Sequence, residues 1–160
     1  MKSYSASVQT DIAAPQAAAF ECIVPVDLTS VFTGYGPLPA VVGTCDQTGG
    51  WDAAGQTRTV LLAGGSSAHE QITEYTHPSH FSYTVSDFTG ILRPLVVSAH
   101  GEWWFEPGTA PQSTHVKWTY TFTARSSFSA PLVWFIATVL WKGYMDKALR
   151  ISKAQAESQA

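Results

Sequence analysis

Ala130-Pro131-Leu132-Val133-Trp134-Phe135-Ile136-Ala137-Thr138-Val139-Leu140-Trp141, running on through Lys142-Gly143-Tyr144-Met145-Asp146-Lys147-Ala148-Leu149-Arg150-Ile151, decides how the chain folds. The pattern predicts one helix from Pro131 to about Ala156. Its first half is apolar around the whole circumference, and from Lys142 it turns amphipathic, with Lys142, Asp146, Arg150 and Lys153 on one side. At about 100° per residue, Val133, Ile136, Ala137, Leu140, Tyr144, Ala148 and Ile151 fall on a single stripe. Such a helix, roughly 26 residues long, spans about 40 Å, more than a small sheet needs as a cover. A curved sheet wrapped around it would leave an enclosed space between the two.

The residues before it alternate. Tyr4, Ala6, Val8, Thr10 and Ile12 against Ser5, Ser7, Gln9 and Asp11 read as a first strand. Ala14-Pro15 opens a helix that continues to Ile23 and stops at Pro25. A second short helix is expected over about Asp27 to Phe32, with Asp27 as N-cap. Gly34-Tyr35-Gly36-Pro37-Leu38-Pro39 reads as a fixed loop. Six further strands are expected near Ala40–Gln47, Gln56–Leu62, Ala68–Thr76, His80–Asp87, Val96–Glu106 and Ser113–Thr123. Glycine, proline and serine separators between them imply an antiparallel meander. The sum is an α+β domain spanning 1–160, with a seven-stranded curved antiparallel sheet around the terminal helix and two short helices after the first strand. An up-and-down barrel is the rival, and it would leave the long helix no concave surface to fill.

Composition narrows the function. The chain of 160 residues is 45% hydrophobic and 12% aromatic, yet only 13% charged, about half of ordinary usage. Apolar surface must therefore be well buried or put to use. A net charge of -3 gives no footprint for nucleic acid. Cys22 and Cys45 do not make a disulfide framework and read as two reduced, buried thiols. With no signal peptide after Met1-Lys2-Ser3, they point to a cytoplasmic protein. The apolar run from Ala130 to Trp141 is too short to span a bilayer, so no transmembrane segment is expected, although it could lie on a membrane surface.

Several local patterns carry a resemblance. They are Gly36-Pro37-Leu38-Pro39-Ala40-Val41 before the second strand, Gly55-Gln56-Thr57-Arg58-Thr59-Val60 entering the third, and a Gly-Gly turn followed by Glu70-Gln71-Ile72-Thr73-Glu74. Phe81-Ser82-Tyr83-Thr84-Val85 and the long helix complete the series. From about Ser3 to Ala156 the chain resembles the helix-grip superfamily of START-like (SRPBCC) domains, in its bacterial polyketide cyclase/dehydrase-like branch. That resemblance implies a cavity for a hydrophobic small molecule; it does not imply a reaction. Carried over, the family's cavity-lining positions fall on Arg58, Glu70, Tyr83, Val85, Trp118 and Tyr120, and on Ile136, Leu140 and Tyr144 of the helix. In plant hormone receptors of the superfamily, the glutamate matching Glu70 binds a polar ligand group through water. Their second-strand lysine has no counterpart here, where Gly43 or a neighbour stands. The resemblance makes Ala63-Gly64-Gly65-Ser66-Ser67 a gate loop and gives Trp51 a structural role.

Strand parity supplies an independent sorting. Val116, Trp118, Tyr120 and Phe122 face inward, against His115, Lys117, Thr119, Thr121 and Thr123. Arg58, Val60 and Leu62 share a face; so do Glu70, Ile72 and Glu74; so do His100, Glu102 and Trp104. The Trp103-Trp104 pair puts one indole on each face, and Trp104 joins Ile72 in the candidate cavity set. Arg58 and Glu70 on neighbouring strands form an ion pair that either braces the cavity edge or orients a ligand head group; neither charge is tolerable alone in an apolar interior. His100 and Glu102 would need a further converging ligand to hold a metal, so no metal and no cofactor is expected. No nucleophile elbow, dinucleotide fingerprint or phosphate loop is present. The apolar segment Phe88-Thr89-Gly90-Ile91-Leu92-Arg93-Pro94-Leu95 is expected to touch ligand, membrane or partner.

The expected function is binding or transport of a lipid, polyketide or isoprenoid-like molecule in the cavity between sheet and helix. An alternative is a cyclase or aromatase in which Arg58, Glu70, Tyr83, His100 and Tyr120 are the only acid/base candidates; no pair among them is diagnostic, and the reading leans away from an enzyme. The third is an interaction or dimerisation module using Trp134, Phe135 and Val139. Transient membrane contact and a homodimer stay open.

Overall fold

A computed structural model describes residues 1–160. Seven strands, β1 (Ser3–Ile12), β2 (Val41–Cys45), β3 (Thr57–Leu62), β4 (Ser67–Thr76), β5 (His80–Ser86), β6 (Val96–Pro107) and β7 (Thr114–Ala124), form one sheet in the order β1-β7-β6-β5-β4-β3-β2. Every neighbouring pair is antiparallel. Strands β2 to β7 follow in sequence order, as short turns require, and β1 closes on the far side of β7. On the outer face that closure is stitched by hydroxyl pairs: Ser3 with Thr123 at 3.1 Å, and Ser5 with Thr121 and Ser7 with Thr119 at 2.7 Å each.

The helices gather on the concave face. Helix α1 (Gln16–Ile23) starts after Pro15 and buries Ala19, Phe20 and Ile23. The second helix expected after it is a single 3₁₀ turn, Leu28–Ser30, in which the Asp27 carboxylate accepts from the Thr29 N–H at 3.0 Å. With Pro25 upstream and β-branched Thr29 and Val31 within, the segment is too short to nucleate α-helix.

The C-terminal helix is not uniform. Helix α2 (Ala130–Phe135) passes into a π-helical segment, Ile136–Trp141, and then into α3 (Lys142–Gln159). Within it Thr138 Oγ1 donates to Trp134 O at 2.7 Å, a side-chain bond that competes for the helical carbonyl. The wider π turn rotates everything downstream. Met145, Leu149 and Ser152 are therefore buried beside Tyr144 and Ala148, while Leu140 and Ile151 of the expected stripe are only half-buried. None of these helices is long and apolar enough to cross a membrane.

Two bulges correct the expected parity. Pairing of β4 with β5 slips between Ile72 and Glu74, so Glu74 leaves the face it was expected to share with Glu70. Tyr75 turns inward instead, its ring 5.3 Å from Phe20. The second slip lies between Val41 and Gly43 at the β2 edge. Cys22 and Cys45 are free thiols, half-buried rather than buried as expected.

Packing is uneven along the sheet. At one end α1 fills the concavity: Phe20 is fully buried, with Phe105 at 5.0 Å. Ile12, Val116 and Met145 are fully buried as well. Towards β3, β4 and the start of the C-terminal helix nothing fills the groove.

Candidate ligand cavity

That groove is a cavity of about 320 Å³, and 30 of its 38 lining residues are hydrophobic. The sheet floors it, the C-terminal helix roofs it, and two loop regions frame its mouth. Nine of the eleven residues singled out from the sequence stand in its wall: Arg58, Glu70, Tyr83, Val85, Trp118, Tyr120, Ile136, Leu140 and Tyr144.

Two do not. Ile72 faces inward but is sealed in the solid part of the core beside Tyr83, its Cα partner on β5. Trp104 lies on the outer face of the sheet, where Lys117 Nζ sits 5.7 Å from its ring and the His80 ring 5.7 Å away. The inward set of β6 is Ala99, Gly101, Trp103 and Phe105, all buried. Pairing with β7 decides this, because Trp103 is opposite inward-facing Trp118 and the two rings stack at 4.5 Å. His100 and Glu102 go out with Trp104. There His80 bridges Glu74 and Glu102, 2.9 Å from each.

Gly101 is a positional requirement. A Cβ there would stand 2.2 Å from Cζ of Tyr83, so the missing side chain lets the Tyr83 ring lie flat across β6. This carries the phenol towards Tyr120, with ring centroids 6.2 Å apart. Burial raises both phenol pKa values above the ordinary range. The Glu70 charge adds to the rise at Tyr83, and Tyr83 and then Glu70 add to it at Tyr120. Both stay protonated at neutral pH. The indole N–H groups of Trp118 and Trp141 are buried without a hydrogen-bond acceptor.

The polar corner is Arg58–Glu70, joined Nε to Oε1 at 2.8 Å. Sequence reasoning did not foresee its third member. Trp51, in the turn before β3, is buried with its ring 3.8 Å from the Arg58 guanidinium carbon. Its backbone is left-handed, at φ +60, a conformation a bulky residue adopts only when its surroundings enforce it. Nothing in the local sequence pairs Trp51 with Arg58.

Tyr144 gives the cavity its ring but not its hydroxyl. That oxygen accepts from Gly34 N–H at 3.0 Å and donates to Pro39 O at 2.9 Å, while Lys147 Nζ donates to Gly34 O at 2.8 Å. The 34–39 loop is thereby fastened to α3, with the Tyr35 ring seated on Gly143. At the mouth, Ser67 N–H donates to Thr89 Oγ1 at 2.8 Å and Thr89 N–H to Ser67 O at 3.0 Å. The expected gate loop and the apolar 88–95 segment are thus tied to each other.

Comparison with known proteins places this geometry. A family model described as polyketide cyclase / dehydrase and lipid transport matches residues 3–157. No curated protein sequence matches the chain. Among solved structures it is similar to Ara h 8.0201, at 16% identity and TM-score 0.67, covering 98% of this chain and 99% of that one. It is also similar to a norcoclaurine synthase point mutant from Thalictrum, solved with a transition-state analogue, at 15% identity and TM-score 0.69, covering 99% and 98%. A third is XoxI from Bacillus cereus, at 14% identity and TM-score 0.65, covering 98% and 99%. With the family model spanning nearly the whole chain, the protein belongs to the polyketide cyclase/dehydrase and lipid transport family.

Proposed function

We propose that the chain acts as one domain that binds and carries a hydrophobic small molecule, of lipid, polyketide or isoprenoid type, between sheet and C-terminal helix. The observation that supports this reading is the open cavity of about 320 Å³ with its predominantly apolar wall. Burying roughly 300 Å² of apolar ligand surface there is worth about 7 kcal/mol before association costs. Arg58, whose Nη groups have no protein partner, and the protonated Tyr83 and Tyr120 supply donors for a ligand oxygen. The nine wall residues named above are the proposed ligand contacts, and the paired loops at 63–67 and 88–95 are the proposed gate.

Native mass spectrometry of the purified protein, with solvent extraction of what co-purifies, tests this directly. Val60→Trp and Leu140→Trp, which place an indole in the cavity, are expected to abolish one-to-one binding of an apolar fluorescent probe while the fold persists. Unchanged probe binding in both variants refutes the reading. A cyclase-type reaction is supported by one observation, the placing of Glu70, Tyr83 and Tyr120 in the same cavity wall with the two phenol rings 6.2 Å apart. Turnover lost in Glu70→Gln with binding retained is the result that establishes it.

A further inference from the structure

The mouth carries apolar surface that the cavity does not account for. Phe128 is 98% exposed and Ile91 81%, and on the facing helix Leu132, Trp134, Phe135 and Val139 are between 43% and 51% exposed. Leu132, Phe135 and Val139 form one helical stripe. The two segments that bear these residues are joined. Arg125 N–H donates to Leu95 O at 2.8 Å, and the Arg125 guanidinium donates to Arg93 O at 2.9 Å and Val96 O at 3.2 Å. Ile91, Leu132 and Phe135 also line the cavity, so the exposed surface is continuous with the interior. Burying such a patch is favourable, and two tips as protruding as Phe128 and Ile91 suit a soft medium better than a flat protein face.

Charge selects the medium. The chain as a whole is at -3, but no Asp or Glu occurs from 88 to 101 or from 107 to 141. Arg93 and Arg125 are exposed within the rim, and Lys142 at its far end is paired with Asp146 at 3.3 Å. Two copies meeting mouth to mouth would bring four arginines together, with carboxylates only at the margins, Asp87 before the 88–95 segment and Asp146 paired with Lys142. An anionic surface is complementary to the same arrangement.

We propose that the rim of the cavity is a docking surface for an anionic lipid bilayer. Ile91, Phe128 and the Leu132–Phe135–Val139 stripe enter the acyl boundary, while Arg93 and Arg125 meet headgroup phosphates, so that the cavity opens onto the membrane. This goes beyond the ligand reading and does not depend on it, because vesicle binding is read without any cavity ligand.

The test is co-sedimentation of the full chain with phosphatidylcholine vesicles, with and without about 30 mol% phosphatidylglycerol. Two arginines at an anionic surface give about thirtyfold tighter partitioning onto the anionic vesicles, lost in about 0.5 M salt. Phe128→Glu and Ile91→Glu replace side chains that are 98% and 81% exposed, and each is expected to weaken partitioning at least about tenfold with an unchanged circular dichroism spectrum. Arg93→Glu is expected to remove the preference for the anionic lipid. Equal partitioning on both vesicle types, or Phe128→Glu and Ile91→Glu binding as the parent does, overturns the proposal. So does a concentration-dependent dimer that Phe128→Glu dissolves in a protein that ignores vesicles; that outcome makes a second copy the occupant. Vesicle binding retained in the cavity-filling variants separates failure of the ligand reading from failure of this one.

Discussion

Replacing Glu70 by leucine strands Arg58. The Arg58 and Glu70 side chains are 7% and 12% exposed and meet at 2.8 Å, with the guanidinium stacked on Trp51. At an effective dielectric near 20, two charges about 4 Å apart attract by roughly 4 kcal/mol, most of which the desolvation of both groups consumes. The pair therefore contributes little net, but losing one partner leaves the other buried and uncompensated, at about 3 kcal/mol or more. Trp51 and the open cavity soften that, giving about 2–3 kcal/mol for Glu70→Leu and a similar figure for Arg58→Met. In a chain of this size such a loss lowers Tm by roughly 5–10 °C. The double variant, with both charges gone, is expected within about 1 kcal/mol of the parent. Denaturant unfolding of all four proteins reads the coupling. Single losses that simply add in the double variant would refute the argument that the two charges exist to neutralise each other.

Gly101→Ala forces the Tyr83 ring off β6 and into the cavity; a stability loss of about 1–3 kcal/mol and weaker binding of apolar probes are expected by unfolding and probe titration, and unaltered probe affinity would contradict the ring's assigned place. Tyr144→Phe removes the hydroxyl that holds Gly34 N–H and Pro39 O; about 1–2 kcal/mol should be lost, with faster amide exchange confined to the 34–41 region. Tyr83 and Tyr120, with folded pKa values above the unfolded value near 10, add stability that is whole below about pH 10 and is lost as pH rises through the folded values. The steepest loss is about 1.4 kcal/mol per pH unit for each phenol. Unfolding free energies measured between pH 9 and 11.5 should fall accordingly, and the combined Tyr83→Phe and Tyr120→Phe variant should fall less; an equal slope in both would show that these phenols are not the source.

Much of the architecture was legible in the chain because its signals are local and periodic. The β7 alternation of Val116, Trp118, Tyr120 and Phe122 fixed an inward face, and all four are buried. The terminal helix announced its length through an unbroken apolar and then amphipathic run, and glycine-rich turns announced the meander. Arg58 and Glu70, cavity positions that the family resemblance implied, are paired across β3 and β4 and stand in the wall.

What sequence could not decide was everything set by cross-strand register or by residues distant in the chain. Trp103 and Trp104 are equivalent to a period of two, and only pairing with Trp118 turned one in and the other out. The bulge after Ile72 sent Glu74 outward and Tyr75 inward, because one unpaired residue reverses every later side chain. Trp51 reached Arg58, and Tyr144 reached the 34–39 loop, through contacts between segments that share no local pattern. The sequence by itself determined that a curved sheet would meet a long helix, since periodicity and turn chemistry act over a few residues. The hollow between them, with its mouth and polar corner, is a decision of tertiary packing: its volume is the difference between how far apart sheet and helix are held and how much the side chains fill.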